Sequence, residues 1–118
     1  MSHTVVIVDD EPPARAKLLR FLAPLPEFEV VAQADTVETA VTEITARKPD
    51  LVYLDIQLGA HSGFDVLEAI RDMESPHIVF TTAYSEYAVQ AFDVQALDYL
   101  LKPYDRERFL RKIGRAHV

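Results

Sequence analysis

The sequence predicts an α/β fold in which five parallel strands form one sheet with helices packed on both faces. Three observations predict it. Short apolar runs rich in β-branched residues recur about five times, amphipathic stretches at helical spacing separate them, and two runs end directly in acids. Those two are Val5-Val6-Ile7-Val8, followed by Asp9 and Asp10, and Leu51-Val52-Tyr53-Leu54, followed by Asp55.

Each element has its own justification. Thr4–Val8 is a first strand. Two prolines, Pro12 and Pro13, then suit the first turn of a helix, where no backbone donor is missed, and Ala14, Leu18, Phe21, Leu22 and Leu25 give its apolar stripe. Glu29–Ala34 is a second strand. Asp35 or Thr36 can cap a second helix whose inner stripe is Val37, Ala40, Val41 and Ile44. Asp50–Leu54 is a third strand, and its unbroken apolar run implies burial on both faces. Ser62 can cap a third helix with Val66, Leu67 and Ile70 inward, and His77–Thr81 is a fourth strand. A weaker fourth helix covers Ser85–Phe92, mixing Tyr87, Ala88, Val89 and Phe92 with polar residues. Ala96–Leu101 is the fifth strand, and Asp105 can cap a last helix through Phe109, Leu110 and Ile113. Right-handed crossovers turn this alternation into a (βα)5 flavodoxin-like three-layer sandwich with sheet order 2-1-3-4-5.

At 118 residues the chain is expected to be one domain spanning 1–118, either natural or cut from something longer. A formal charge of −7 disfavours general nucleic-acid binding by this segment, since phosphate contacts need local positive charge. The chain has no cysteine, which removes thiolate chemistry and cysteine-based metal sites and suits a cytoplasmic location. No run approaches the length of a membrane span. The last helix carries Arg106, Arg108, Arg111, Lys112 and Arg115, which read as a solvated cationic face or as a partner surface. His3, His61, His77 and His117 have no metal-ligand spacing.

In the 2-1-3-4-5 order the switch point falls between the first and third strands, where Asp9, Asp10 and Asp55 would meet. Taken singly, Asp9 or Asp10 could cap a helix and Asp55 could be a loop acid. Together they repel one another, and folding alone does not reward such a cluster. The fifth strand ends in Lys102-Pro103, bringing an ammonium to the same edge, and the fourth ends in Thr81-Thr82-Ala83, bringing a hydroxyl. Hard carboxylate oxygens suit Mg²⁺. Such a set fits transient phosphorylation of one carboxylate, Asp55, with Lys102 and Thr82 meeting the phosphoryl oxygens.

Val6-Ile7-Val8-Asp9-Asp10-Glu11, Leu54-Asp55, Thr82-Ala83 and Lys102-Pro103 together resemble the four signatures of the CheY-like response-regulator receiver domain of two-component signalling. The resemblance covers essentially the whole chain. It implies that Asp55 accepts phosphate from a sensor histidine kinase. It also implies that Asp9, Asp10, Asp55 and the backbone carbonyl of Gln57 hold Mg²⁺, and that Thr82 and Tyr99 form the switch. Gln57 and Tyr84 match positions that influence dephosphorylation. The segments Thr82–Phe92 and Ala96–Asp105 are most similar to receivers of LytTR-type transcriptional regulators, which bind DNA through a C-terminal domain with no counterpart here. A homodimer through the fourth helix, fifth strand and fifth helix is implied on the same ground. Two other functions compete: a Mg²⁺-dependent aspartyl phosphohydrolase, which would need a substrate pocket, and a partner-binding pseudo-receiver, which should lack part of the acid, threonine and lysine set.

One departure stands out. Gly59 occupies a position where the family usually has proline, while Gly63 keeps the family's glycine. Glycine frees backbone conformations that proline forbids, so the expectation is a loop that is looser or shaped differently beside the metal, with a less preorganised Gln57 carbonyl.

Overall fold

The computed structural model describes residues 2–74, 76–83 and 98–117, with the side chains of the last helix described through Ile113. The fourth helix expected over Ser85–Phe92, with Tyr84 and Tyr87, lies outside the described residues, as do Ala96 and Leu97. The described elements run β1 (His3–Val8), α1 (Pro12–Leu22), β2 (Phe28–Ala34), α2 (Val37–Arg47), β3 (Leu51–Leu54), β4 (Gln57–Leu58), β5 (His61–Ser62), α3 (Gly63–Ala69), β6 (His77–Thr82), β7 (Asp98–Leu101) and α4 (Arg106–His117).

Five strands form one parallel sheet in the order β2-β1-β3-β6-β7. This is the expected 2-1-3-4-5 once the small β4–β5 hairpin is set aside. β1 lies inside the sheet and is buried on both faces, because alternate residues feed two separate cores. Val6 and Val8 join Ala40 and Ile44 of α2, Val52 and Leu54 of β3, and Val66 of α3. Val5 and Ile7 join Leu18, Phe21 and Leu22 of α1, Tyr53 of β3, and Phe109 and Ile113 of α4. The period-two pleat therefore makes a three-layer sandwich out of one continuous apolar run.

Helix ends follow local chemistry. Pro12 and Pro13 occupy the first turn of α1. The helix stops at Leu22, earlier than the apolar stripe to Leu25 suggests, because Pro24, just after the C-cap residue Ala23, has no N–H to continue the ladder. Thr36, not Asp35, caps α2 in a reciprocal capping box with Thr39, and Ser62 caps α3 in another with Asp65. The Asp105 carboxylate accepts the Arg108 N–H at 2.9 Å to cap α4.

The structure amends the picture of the last helix as a uniformly solvated cationic face. The Arg106 guanidinium lies 4.6 Å from the centre of the Phe21 ring, and Arg111 pairs with Glu107 at 3.1 Å. Lys112 turns inward, 2.9 Å from the buried Asp98.

Candidate functional site

The carboxyl ends of β1 and β3 are adjacent, since Val8 pairs with Leu54. The residues that follow, Asp9 and Asp55, leave the sheet side by side, and the Asp55 N–H still donates to the Val8 carbonyl at 3.0 Å. Both carboxylates are buried, whereas Asp10 and Glu11 are exposed at the rim. Neither Asp9 nor Asp10 caps α1; its N-cap residue is Glu11, which makes no side-chain cap hydrogen bond. The acids are thus not spent on ending a helix. One carboxylate oxygen from each of Asp9, Asp10, Glu11 and Asp55 can be chosen so that all lie within 4.8 Å of one another.

Lys102 reaches this cluster from the end of β7. Its ammonium stands 2.9 Å from Asp9 Oδ2, 3.1 Å from Asp55 Oδ2 and 3.6 Å from Glu11 Oε1. Its backbone N–H donates to the Thr82 carbonyl at 2.8 Å, which aligns the ends of β6 and β7. The Lys102–Pro103 peptide is cis. Thr82 is fully buried at the end of β6. Tyr99, half-buried on β7, stacks on Phe80 of β6 with ring centroids 6.2 Å apart and planes within 8°.

Electrostatics sets the two central groups apart. Burial raises the Asp55 carboxyl above the ordinary aspartate range. The hydrogen bond and charge of Lys102 oppose this, the Asp9 charge adds to it, and the Gln57 N–H opposes it, but the net direction is up. For Lys102, burial works against the charge. Hydrogen bonds to Asp9 and Asp55, together with their negative charges, outweigh it and hold the ammonium above the ordinary lysine value. Lys102 is therefore a fixed cation beside the desolvated Asp55 carboxyl.

The donor set fits a hard divalent cation. Mg²⁺ takes oxygen ligands at about 2.1 Å, so opposite ligands stand about 4.2 Å apart, close to the spread of these carboxylates. Asp9, Asp10 and Asp55 come together as expected. Gln57, the fourth expected contributor, begins β4 beside them, and its N–H donates to Asp55 Oδ1 at 3.2 Å.

The loop after Asp55 takes a shape that the positive φ of Gly59 permits and proline would forbid. It is the β4–β5 hairpin, in which Leu58 pairs with His61 and Gly59-Ala60 make the turn. Gly59 takes φ +60, and it is alone among the hairpin residues in the positive region. Positive φ at the first turn position is the type II′ pattern, which closes tight hairpins. Its N–H donates to Asp10 Oδ2 at 2.9 Å, tying the turn to the acid pair.

Sequence reasoning missed three contributors. Glu11 belongs to the acid cluster although it stood only as the last residue of a motif. Arg15 of α1 donates to the Asp9 carbonyl at 2.7 Å, steadying the β1–α1 loop. Gly63 is demanded by packing: a Cβ there would collide with the Asp55 carbonyl oxygen and come within 3.2 Å of the Asp55 carbonyl carbon and of Ile56 Cα. The spacing of Gly63 from Asp55 was the available signal, but a collision between a helix start and a strand end needs coordinates.

Comparison with known proteins agrees with this geometry. The family model of the response regulator receiver domain matches residues 5–114. The chain is 47% identical over 110 residues to the sensory transduction protein LytT of Bacillus anthracis, covering 92% of this chain and 45% of that protein. It is 45% identical over 113 residues to LytT of Enterococcus faecalis, covering 95% and 47%. It thus spans less than half the length of these curated relatives. Among solved structures, the response regulatory domain of mrkE from Klebsiella pneumoniae is 31% identical with a TM-score of 0.85, covering 97% of this chain and 94% of that one. The REC domain of AraT from Geobacillus stearothermophilus is 28% identical with a TM-score of 0.86, covering 98% and 93%. Sheet order, acid cluster and matched sequence converge: the chain belongs to the response regulator receiver domain family.

Proposed function

We propose that this receiver accepts a phosphoryl group on Asp55 from a phosphohistidine of a sensor histidine kinase and passes the change to a transcriptional output. The observation that carries the reading is the buried Asp55 carboxylate held 3.1 Å from the Lys102 ammonium, with Asp9 sharing that cation. An Asp55 oxygen attacks phosphorus, a P–O bond forms, the P–N bond breaks, and the imidazole nitrogen keeps the electron pair. The Gln57 N–H on Asp55 Oδ1 orients the nucleophile. Lys102 neutralises charge on the phosphoryl oxygens, and the Thr82 hydroxyl meets them from the end of β6. Asp9, Asp10, Asp55 and the Gln57 carbonyl would hold Mg²⁺, which when bound supplies positive charge to the phosphoryl group in transit.

The product is an acyl phosphate, so the useful result is a changed surface. Thr82 and Tyr99 are the proposed switch, with Tyr99 resting against Phe80 in this conformation. By similarity to the LytT-named relatives, we assign the output to a LytTR-type DNA-binding domain outside this segment. The face containing β7 and α4, with Leu110 exposed, is the proposed dimer surface. Sedimentation with and without beryllofluoride tests that association.

The test of the central reading is intact mass spectrometry after incubation with Mg²⁺ and a small acyl phosphate donor. A single hydroxylamine-labile phosphoryl adduct is expected, absent from Asp55→Asn. No adduct on the wild-type chain, or an undiminished adduct on the variant, overturns it.

A further inference from the structure

We infer that Gly59 is a positioning residue that commits one oxygen of Asp10 to its own backbone N–H, and thereby sets the preference of the acid cluster for Mg²⁺ over Ca²⁺. The inference rests on the reading of Asp10 as a metal ligand.

Three aspartates in the cluster share one pattern: a backbone N–H occupies one oxygen of each. Asp9 Oδ1 accepts from Glu11 N at 2.9 Å, and Asp55 Oδ1 accepts from Gln57 N at 3.2 Å. These two bonds are local, made by the residue two positions further along the chain. The third is of a different kind. Asp10 Oδ2 accepts from Gly59 N at 2.9 Å, across 49 positions of sequence. Asp10 is also the aspartate of the three that lies exposed, so burial does not restrain it as it restrains Asp9 and Asp55. What restrains it is the hairpin turn, and the turn depends on φ +60 at Gly59.

The consequence is chemical. Ca²⁺ takes more oxygens at longer distances and readily accepts both oxygens of one carboxylate, whereas Mg²⁺ needs compact octahedral coordination and retains waters. An aspartate with one oxygen held by an N–H offers the other singly. Releasing Asp10 from Gly59 lets it turn both oxygens to a cation, which helps the larger ion and leaves the smaller one with a less ordered ligand. Proline at position 59 would remove the N–H and could not adopt the positive φ. Asparagine would keep the N–H and, with glycine and aspartate, is a usual occupant of the positive-φ positions of hairpin turns.

The test is calorimetric titration of the metal-free chain with Mg²⁺ and with Ca²⁺, for the wild type, Gly59→Pro and Gly59→Asn. Outer partners of ligating carboxylates carry about 10- to 100-fold in metal affinity, so Gly59→Pro should weaken Mg²⁺ binding about tenfold. Ca²⁺ binding should change by less than about threefold, and Gly59→Asn should stay within about twofold for both ions. Equal loss for the two ions in Gly59→Pro, or Gly59→Asn behaving like Gly59→Pro, overturns the inference. So does unchanged Mg²⁺ binding in Gly59→Pro. A wild-type chain that does not bind Mg²⁺ at all overturns the ligand assignment itself. Independently of how the variants fold, Asp10→Ala should speed hydrogen exchange at the metal-free Gly59 amide about tenfold, the loss of one charge-assisted hydrogen bond. An unchanged exchange rate also overturns the inference.

Discussion

Replacing Gly63 with alanine should destabilise the domain and displace the phosphoacceptor, although alanine is ordinarily the better helix residue. The added Cβ would fall inside the 3.0 Å that real Cβ atoms keep, against the Asp55 carbonyl oxygen. Its other close neighbours, the Asp55 carbonyl carbon and Ile56 Cα, are also backbone and cannot rotate away. Relief requires the start of α3 to move from the end of β3, which stretches the 2.6 Å bond from Gly63 N–H to the Ile56 carbonyl. Overpacking costs about 1–3 kcal/mol and the weakened hydrogen bond about 0.5–1.5 kcal/mol. Against these, alanine recovers about 0.4–1 kcal/mol by restricting the unfolded chain. The balance is about 2 kcal/mol of destabilisation. With an unfolding entropy near 2.1 cal/mol/K per residue over this chain, that lowers Tm by about 8 °C. Urea unfolding and thermal melting in EDTA measure it. Gly59→Ala is the control, because Gly59 has open space around its missing Cβ and its cost is conformational, about 1–2 kcal/mol. A Gly63→Ala protein within about 0.5 kcal/mol of wild type would refute the steric reasoning. Lower stability with unchanged phosphorylation would keep the steric reasoning and refute the displacement of Asp55.

Three further outcomes are expected. In EDTA, Asp55→Asn should be more stable than wild type at neutral pH. The folded pKa of Asp55 is raised, so its contribution is present below the unfolded pKa and lost as pH rises through the folded value; the variant should flatten that decline in a melting series across pH. Tyr53→Phe should raise stability by about 1 kcal/mol in urea titrations, because the buried Tyr53 hydroxyl has no protein partner among the described residues. A loss of stability would show that the hydroxyl is satisfied in solution. Lys17→Met should cost about 1–2 kcal/mol, since the ammonium donates to the Tyr104 carbonyl and lies 4.1 Å from the Tyr104 ring centre. Lys17→Arg should restore part of this, and equal melting of all three proteins would rule the contact unimportant.

Much of the fold and part of the site were legible before any coordinates, for a physical reason. An apolar run of four residues followed by an acid states both burial on two faces and the strand end where a carboxylate leaves the sheet. Proline pairs and Ser or Thr caps mark helix starts through backbone rules that act over three or four residues. Asp9, Asp10, Asp55, Thr82 and Lys102 could be gathered because each follows or closes such a run. The β4–β5 hairpin was not legible. Two-residue strands carry no periodicity, and Gly59-Ala60 lacks the common Asn-Gly or Asp-Gly signal. The end of α1 was misplaced by trusting the stripe to Leu25 over the chain-breaking effect of Pro24.

By itself, the sequence determined the alternation of strands and helices, the sheet order and the meeting of three acids with a lysine, because these depend on local periodicity and on topology rules. Only the tertiary structure decided what individual side chains do there. Lys112 left the solvated face for buried Asp98, Gly63 proved to be set by the Asp55 carbonyl, and Gly59 became the donor to an acid 49 positions away. The Lys112 and Gly59 contacts join residues whose separation in the chain carries no pattern, and the visible spacing of Gly63 from Asp55 does not name a collision, so only the folded backbone reveals all three.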